Sequence, residues 1–240
     1  MRLLLGSGGF RTPERLALLT GQMQSFFGDV GEVLFVPFAL SNHDRYLEVM
    51  NERRLDAGLP LKGIHREPDP VRAVGEARAI YIGGGNTFRL VNALYELNLL
   101  DPIRARVLDG LPYMGVSAGT NVACPTMMTT NDMPVVRPPS FRTLGLVPFQ
   151  VNAHYYSGDT YVRAGDSYIQ HFGETRDDRL REFHEMNDTP VIGLREGGLI
   201  RVEDGVYTLV GSPARLFVKG EPAVDVEPGG ALWPPPGELR

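Results

Sequence analysis

One serine in the chain lies in a pattern that suits a nucleophile. Ser117 stands in the stretch Gly115-Val116-Ser117-Ala118-Gly119, at the end of the short apolar run 111–116. Small residues on both sides of a serine let a sharp strand-to-helix turn close tightly and expose the hydroxyl. Serine and glycine are also common in ordinary turns, so this motif alone is equally compatible with a turn that has no catalytic role. A catalytic interpretation therefore requires partners for Ser117 elsewhere in the chain.

A serine hydroxyl becomes a good nucleophile when a base removes its proton. Five histidines are available. His154 directly follows the apolar segment 144–152, so its side chain is expected at the same sheet edge as Ser117. A packing or surface role is the better interpretation for the three histidines inside helical or strand patterns: His43, His65 and His184. We therefore predict His154 as the base.

Two acids are candidates for orienting this histidine. Glu196 follows the apolar strand pattern 191–194 and precedes two glycines, whereas Asp132 lies in the loop after the predicted elbow. Asp132 would give the chain order Ser, Asp, His of α/β-hydrolases, and Glu196 would give Ser, His, Glu. The residues alone leave both open, because geometry rather than chain order defines a triad.

A tetrahedral oxyanion needs backbone donors near the nucleophile. The amide of Ala118, directly after the serine, is one candidate. The glycine run 83–85 follows another buried strand pattern, so Gly84 or Gly85 could present a second amide with no side chain in the way. A phosphate-binding turn is the weaker interpretation, because the Walker lysine and the G-x-G-x-x-G spacing are both absent.

The elements that must position these groups alternate between apolar strand patterns and amphipathic helical patterns. This alternation predicts a three-layer α/β/α fold with a largely parallel central sheet and functional loops at the carboxyl ends of its strands. Pro13, Asp69-Pro70 and Asn86 mark predicted helix starts, and Gly63-Ile64-His65 is predicted as a short strand. No element is predicted for the glycine-punctuated segment 157–173. We expect one domain over 1–240, with an irregular proline- and glycine-rich tail at 228–240.

Composition narrows the classes of function. The net charge of −5 and the lack of a lysine or arginine block argue against a nucleic-acid or anionic-membrane partner. Cys124 is the single cysteine, which excludes an internal disulfide and any multi-cysteine metal site. No apolar run approaches the roughly 20 residues of a membrane span. We therefore expect a cytoplasmic protein.

Several motifs occur together with the serine motif. They are Gly83-Gly84-Gly85-Asn86-Thr87-Phe88, Ser117-Ala118-Gly119, Ala123-Cys124-Pro125-Thr126, Thr129-Thr130-Asn131-Asp132-Met133-Pro134, Gly173-Glu174-Thr175-Arg176 and Gly193-Leu194-Arg195-Glu196-Gly197. Together, over about residues 3–217, they resemble peptidase E, the alpha-aspartyl dipeptidase family. The resemblance implies a class I glutamine amidotransferase-like α/β fold. It also implies a serine peptidase that releases N-terminal aspartate from Asp-X dipeptides without a metal or other cofactor.

The resemblance also assigns roles to individual residues. It implies Ser117 as nucleophile, His154 as base and Glu196 as the orienting acid. Arg176 is implied to meet the aspartyl carboxylate of the substrate, which a guanidinium can bind through two parallel hydrogen bonds. Without the resemblance, Arg176 would be interpreted as an exposed charge beside the acids at 177–178.

Asp132 is then expected either to pair with the α-ammonium of the substrate or to brace the loop around the pocket. Asn131, beside it, belongs to the same predicted substrate-binding set. The expected partners are a small Asp-X peptide and, by resemblance, a second copy of the chain in a homodimer or higher homo-oligomer. Ala153 and Arg195 stand where the family has proline, and the segment 155–172 is longer than its family counterpart. This segment is expected to cover the site or to contact another subunit.

Three alternatives remain at this stage. A cyanophycinase-like serine peptidase would cut a polymer that has an aspartate backbone and arginine side chains. A metal-dependent hydrolase would use His154, Asp159, His171 and Glu174, although the H-E-x-x-H spacing is absent. A binding protein would keep the fold without the reaction.

Overall fold

The computed structural model describes residues 1–229 and 232. The helices of this part are α1 Pro13–Phe27, α2 His43–Glu52, α3 Pro70–Glu76, α4 Thr87–Glu96, α5 Leu100–Leu108, α6 Ala118–Ala123 and α7 Arg176–Met186. The strands are β1 Leu3–Gly6, β2 Val33–Val36, β3 Leu61–Gly63, β4 Ile80–Ile82, β5 Tyr113–Val116, β6 Gln150–Tyr155, β7 Thr160–Ala164, β8 Ser167–His171, β9 Val191–Arg195, β10 Leu199–Glu203, β11 Val206–Val210, β12 Ala214–Phe217 and β13 Val224–Val226.

The largest sheet has the strand order β11-β10-β1-β5-β4-β2-β3. The strands from β1 to β3 in this order are parallel, whereas β10 and β11 are antiparallel to their neighbours. Strands β1, β2 and β4 are buried along their whole length, as expected for a parallel sheet that is covered on both faces. The predicted α/β class and largely parallel central sheet are confirmed.

Alternate residues of the central strands face two separate apolar layers. Leu4 packs in one layer with Met23 of α1 and Met50 of α2. Leu3 packs in the other with Leu90 of α4 and Val122 of α6. Burial of a strand on both faces and of a helix on one face gives the three-layer arrangement.

Helix starts follow the local capping signals. Thr12, with Pro13 at the first helical position, accepts a hydrogen bond from the Arg15 amide at 3.3 Å. Asp69 and Asn86 cap α3 and α4 in the same way, as their side-chain oxygens accept from the amide three residues later. Each predicted start lies within one residue of the observed one.

A second sheet with the order β13-β12-β9-β6 was not predicted. Strands β6 and β9 are parallel, and β12 is antiparallel to β9. The strands that lead to His154 and Glu196 therefore belong to a different sheet from β5, which leads to Ser117. Apolar periodicity identifies a strand but not the strand with which it pairs, which is why the sequence did not separate the two sheets.

Two local predictions differ from the structure. The predicted strand at 63–65 is wrong beyond Gly63, because Ile64–Arg66 form a 3-10 turn. The segment 157–173 is not irregular, because β7 and β8 form an antiparallel hairpin that turns at Gly165 with φ 62°. Most residues of both strands are exposed, so the apolar alternation that marks a half-buried strand is missing. Of the predicted tail, residues 230–231 and 233–240 lie outside the described residues.

Within residues 1–229 and 232, no helix has the length and apolar character needed to cross a membrane.

Candidate active site

The structure brings together the serine, histidine and glutamate that the sequence singled out. The Oγ atom of Ser117 lies 3.0 Å from Nε2 of His154, and Nδ1 of His154 lies 3.2 Å from Oε1 of Glu196. With the Nδ1 proton donated to the carboxylate, Nε2 is free to accept the serine proton. The three side chains form one hydrogen-bonded chain, which is the geometry that activates a serine.

Ser117 occupies a strained turn between β5 and α6. Its backbone has φ 54° and ψ −111°, which is rare for a residue with a side chain. A Cβ atom at Gly115 would meet the carbonyl of Gly119, and one at Gly119 would meet the carbonyl of Ile82. Both glycines are therefore steric requirements of the turn, as the sequence predicted.

Buried hydrogen bonds hold this turn in place. The hydroxyl of Tyr113 donates to the Gly119 carbonyl at 2.6 Å. The Thr120 hydroxyl lies 2.8 Å from the carbonyls of both Gly6 and Gly115. These bonds fix the start of α6 against β1 and β5, so the partly buried hydroxyl of Ser117 is held in place.

His154 lies within β6 rather than after it, which corrects the predicted strand end. The register between β6 and β9 shifts between Ala153 and Tyr155, and His154 has φ 54°. Such a bulge re-aims a side chain, and here it turns the imidazole toward Ser117. The His154 amide donates to the buried Ser7 hydroxyl at 2.8 Å, and that hydroxyl donates to the Leu194 carbonyl at 2.7 Å.

Glu196 directly follows β9 and is held from several sides. Its Oε2 lies 3.5 Å from Nη1 of Arg15 in α1, and its backbone carbonyl accepts from the Ser212 hydroxyl at 2.7 Å. The next residue, Gly197, has φ 80° and donates its amide to the Gly8 carbonyl at 2.8 Å. These contacts leave Oε1 directed at the imidazole.

The loop after β1 lies directly against the imidazole of His154 and the carboxylate of Glu196. The sequence analysis did not include this loop in the predicted site. Gly8 has φ 118°, and a Cβ there would lie 2.5 Å from Cε1 of His154. Gly9 has φ 72°, and a Cβ there would lie 2.6 Å from the carboxyl carbon of Glu196. The sequence did contain a signal for this loop. Gly8 and Gly9 follow a buried strand, as the glycines at 83–85 do, and that pattern was used to predict the oxyanion donors.

The predicted oxyanion donors border the nucleophile. A Cβ built at Gly84 would lie 3.1 Å from Cβ of Ser117, and the Gly84 carbonyl accepts from the Tyr46 hydroxyl at 2.9 Å. Among the described residues, the amides of Gly84 and Gly85 have no hydrogen-bond acceptor. Ala118 is the first residue of α6, where the amide has no acceptor within the helix. All three amides are therefore available to a substrate oxygen.

Asp132 lies against α4 rather than against the histidine. Its Oδ2 accepts from the amide of Thr87 at 2.8 Å, from the hydroxyl of Thr87 at 2.6 Å and from the hydroxyl of Thr130 at 3.0 Å. Of the two acids that the residues left open, Glu196 is the one that contacts His154. The bonds of Asp132 fit the expected brace of the loop better than a contact with substrate.

Asn131 is also engaged by the protein. Its Nδ2 donates to the Ala153 carbonyl at 2.7 Å, and its Oδ1 accepts from Asn152 at 2.9 Å. The predicted contact with substrate has no support in this arrangement. Asn131 instead fixes the backbone of β6 one residue before His154.

Arg176 is the first residue of α7 and is half buried. Its guanidinium lies over the ring of Tyr156 at 5.3 Å. The Nε atom is buried and has no hydrogen-bond partner among the described residues. Burial lowers the pKa of the guanidinium. The neighbouring acids bond elsewhere, because Asp177 accepts from the Tyr155 hydroxyl at 2.6 Å and Asp178 accepts from Thr175 at 2.7 Å. Among the described residues, the guanidinium therefore has no anionic partner, and an incoming carboxylate would supply one.

A cleft of about 460 Å³ is lined by His154, Glu196 and Tyr156, the tyrosine whose ring lies against Arg176. The ligands proposed for a metal-dependent hydrolase do not converge there. Within the described part of the chain, no three histidine, cysteine or acidic residues are close enough to hold a metal ion.

Burial raises the pKa of the Cys124 thiol to about 12, so this thiol stays protonated at neutral pH and is no rival nucleophile.

The fold and the three linked side chains are those of an α/β serine hydrolase. Comparison with known families identifies the family of this hydrolase, because the model of Peptidase family S51 matches residues 2–210. The chain belongs to this family.

Several relatives are similar to this chain over most of their own length. Peptidase E of Streptomyces coelicolor is 52% identical over 187 residues, which are 78% of this chain and 74% of that protein. A "Probable alpha-aspartyl dipeptidase" of Drosophila melanogaster is 47% identical over 219 residues, 90% and 88% of the two chains. The crystal structure of a peptidase from an acI-B1 actinobacterium shares the fold, with a TM-score of 0.63 at 17% identity and 96% coverage of both chains.

Proposed function

We propose that this protein is a serine dipeptidase that hydrolyses Asp-X dipeptides with N-terminal aspartate. The observation that carries the proposal is the hydrogen-bonded chain from Ser117 through His154 to Glu196. Family membership and the names of relatives from a bacterium and an insect support the same activity. We also propose one peptidase domain over 1–240 and a cytoplasmic location, where the free thiol of Cys124 would remain reduced.

The proposed reaction begins with attack by Ser117 on the carbonyl carbon of the aspartyl residue. As the Oγ–C bond forms, Nε2 of His154 takes the hydroxyl proton, and the carbonyl oxygen becomes an oxyanion. The amides of Ala118 and of Gly84 or Gly85 donate to this oxygen. When the tetrahedral intermediate collapses, the C–N bond breaks and the imidazolium gives its proton to the leaving amine.

An aspartyl ester on Ser117 remains after the first half of the reaction. Water then gives a proton to His154 and its oxygen attacks the ester carbonyl. The second intermediate expels the serine oxygen, which recovers the proton from the imidazolium, and aspartate leaves. Glu196 faces Nδ1 throughout, so it stabilises the imidazolium in both halves, while Arg15 holds the second carboxylate oxygen.

Arg176 is the proposed determinant of specificity for aspartate. It has no anionic partner within residues 1–229 and 232, and its guanidinium lies over the ring of Tyr156, which lines the cleft. A carboxylate that reaches it would gain a charge-assisted hydrogen bond and satisfy a buried donor. A neutral side chain of the same size would leave that donor unpaired.

The test of this specificity compares Asp-Leu with Asn-Leu, Glu-Leu and Ala-Leu, with and without chelator. We expect hydrolysis of Asp-Leu that resists the chelator, with kcat/KM for Asn-Leu and Ala-Leu at least roughly a hundredfold lower. Arg176→Gln should remove most of this preference, whereas Arg179→Gln, one turn further along α7, should keep it. Equal hydrolysis of Ala-Leu by the native protein would overturn the role of Arg176.

The cyanophycinase-like alternative fits the cleft less well. Its substrate carries arginine side chains and would require an acidic surface, but the cleft beside His154 contains Arg15 and Arg195. Release of dipeptides from the polymer by the purified protein would reverse this preference.

A further inference from the structure

A second cavity lies beside the turn that carries Ser117, and the proposed reaction steps do not use it. Its volume is about 570 Å³, and it lies between α1, α2 and the carboxyl ends of β4 and β5. It shares no lining residue with the cleft beside Glu196. Side chains of Leu16, Met50, Leu55 and Val116 form an apolar wall.

Two residues of this cavity lie next to the catalytic serine and histidine. Gly84, which lies against Ser117, and Gly8, which lies against His154, both line it. A substrate bound across Ser117 therefore has two recesses available. The cleft near Arg176 suits the aspartyl residue, so the cavity between α1 and α2 is left for the residue that departs with the amine.

Two arginines line the cavity with unused hydrogen-bond donors. Arg11 and Arg53 are exposed, and neither side chain makes a hydrogen bond or ion pair with any described residue. Glu52, the acid next to Arg53, is bound instead by Arg45 through bonds of 2.7 and 2.9 Å. The cavity thus combines an apolar wall with two arginine side chains that make no hydrogen bond or ion pair with any described residue, and together these suit a small molecule with an apolar part and a carboxylate.

We propose that this cavity binds the second residue of the dipeptide, with its side chain on the apolar wall and its α-carboxylate at Arg11 and Arg53. The proposal rests on the proposed dipeptidase function, because only the last residue of a substrate carries that carboxylate next to the bond that is cut. It explains a restriction to dipeptides, since a longer peptide places a neutral amide where the carboxylate should bind. Leucine or phenylalanine should be preferred over lysine or arginine at this position.

The test measures kcat/KM for Asp-Leu and for Asp-Leu amide, which differ only in the terminal carboxylate. We expect the native protein to prefer the acid by roughly tenfold or more, the scale of one charged hydrogen bond. In the double variant Arg11→Gln, Arg53→Gln the ratio should fall to about one. The matched control is Arg54→Gln, which removes the same charge from a neighbouring groove that does not contain Gly84. This control should keep the preference.

Failure of the subsite and failure of the dipeptidase function give different results. Hydrolysis of acid and amide at equal rates by the native protein would overturn the subsite and leave the function intact. If Asp-Leu is not hydrolysed, the function fails, and binding of N-acetyl-leucine to the native protein decides the subsite by nuclear magnetic resonance titration. Binding that disappears in the double variant but persists in Arg54→Gln supports the subsite, and any other binding result overturns it.

Discussion

Ser117 and His154 both have φ near 54°, a value that residues with side chains rarely adopt. Each strained position costs roughly 1–3 kcal/mol and persists only when its surroundings fix it. Here the fixing groups are the small residues beneath Ser117 and the Ser7 hydroxyl beneath His154. The strain places a hydroxyl and an imidazole at hydrogen-bond distance, although they lie 37 residues apart in the chain.

Tyr46 acts on the oxyanion site through a backbone carbonyl. Its hydroxyl donates to the carbonyl of Gly84, and in a trans peptide the amide of Gly85 points in the opposite direction. Tyr46→Phe frees this peptide to rotate, so we expect kcat for Asp-Leu to fall roughly tenfold, part of the hundredfold or more that loss of a whole donor costs. KM should change little.

The control for this variant is Tyr95→Phe. That hydroxyl also donates to a backbone carbonyl, of Arg142, at a distance of 3.0 Å on the protein surface. Its loss should leave kcat unchanged. A similar kcat for Tyr46→Phe and the native protein would show that the Gly84–Gly85 peptide needs no such support.

At the scale of elements, the site depends on where the central sheet meets the smaller sheet. The buried Ser7 hydroxyl, just beyond β1, joins His154 of β6 to Leu194 of β9. It is therefore the link that holds the base in register with the nucleophile. Its removal takes a hydrogen-bond partner from the His154 amide and from the Leu194 carbonyl.

Ser7→Ala should lower the free energy of unfolding by about 1–3 kcal/mol, the cost of unsatisfied buried polar groups. It should also lower kcat, because the backbone of His154 loses its anchor. Denaturant unfolding and the kinetics of Asp-Leu hydrolysis measure the two effects. Ser167→Ala, on the exposed hairpin, should change unfolding by less than about 0.5 kcal/mol. A Ser7→Ala protein with native stability and rate would contradict the linking role.

The parts of this arrangement that are local in sequence were predictable. The turn at Ser117 was identified because its glycines lie within two residues of it, and the helix caps at Thr12 and Asn86 depend on the next three residues. The support from Gly8 and Gly9 was not identified, because it depends on contacts with residues about 150 to 190 positions away. The separate sheet that contains β6 and β9 was missed for the same reason, since pairing between distant strands has no local signal.

At the scale of the whole molecule, the β7–β8 hairpin and the residue after it expose large apolar side chains. Tyr168 and Phe172 are 70% and 88% exposed, and an isolated two-stranded hairpin is marginally stable in water. We expect the homo-oligomer implied by the family resemblance to cover this surface. Sedimentation velocity should show a dimer or larger species for the native protein and a monomer for Tyr168→Ser, Phe172→Ser.

Met186→Ser is the matched control for that experiment, because Met186 is 86% exposed on α7. It should leave the oligomer unchanged. A native protein that sediments as a monomer at micromolar concentration would contradict the assignment of this surface, and so would a hairpin variant that still associates.

The central claim is that Ser117 is the nucleophile, and the most direct test is the rate of Asp-Leu hydrolysis by Ser117→Ala. Alanine keeps the turn and the small volume but removes the attacking oxygen. We predict a fall in kcat of roughly 10⁴-fold or more, the scale seen when a triad serine is removed, with an unchanged circular dichroism spectrum. Hydrolysis by the variant within tenfold of the native rate would contradict the serine mechanism.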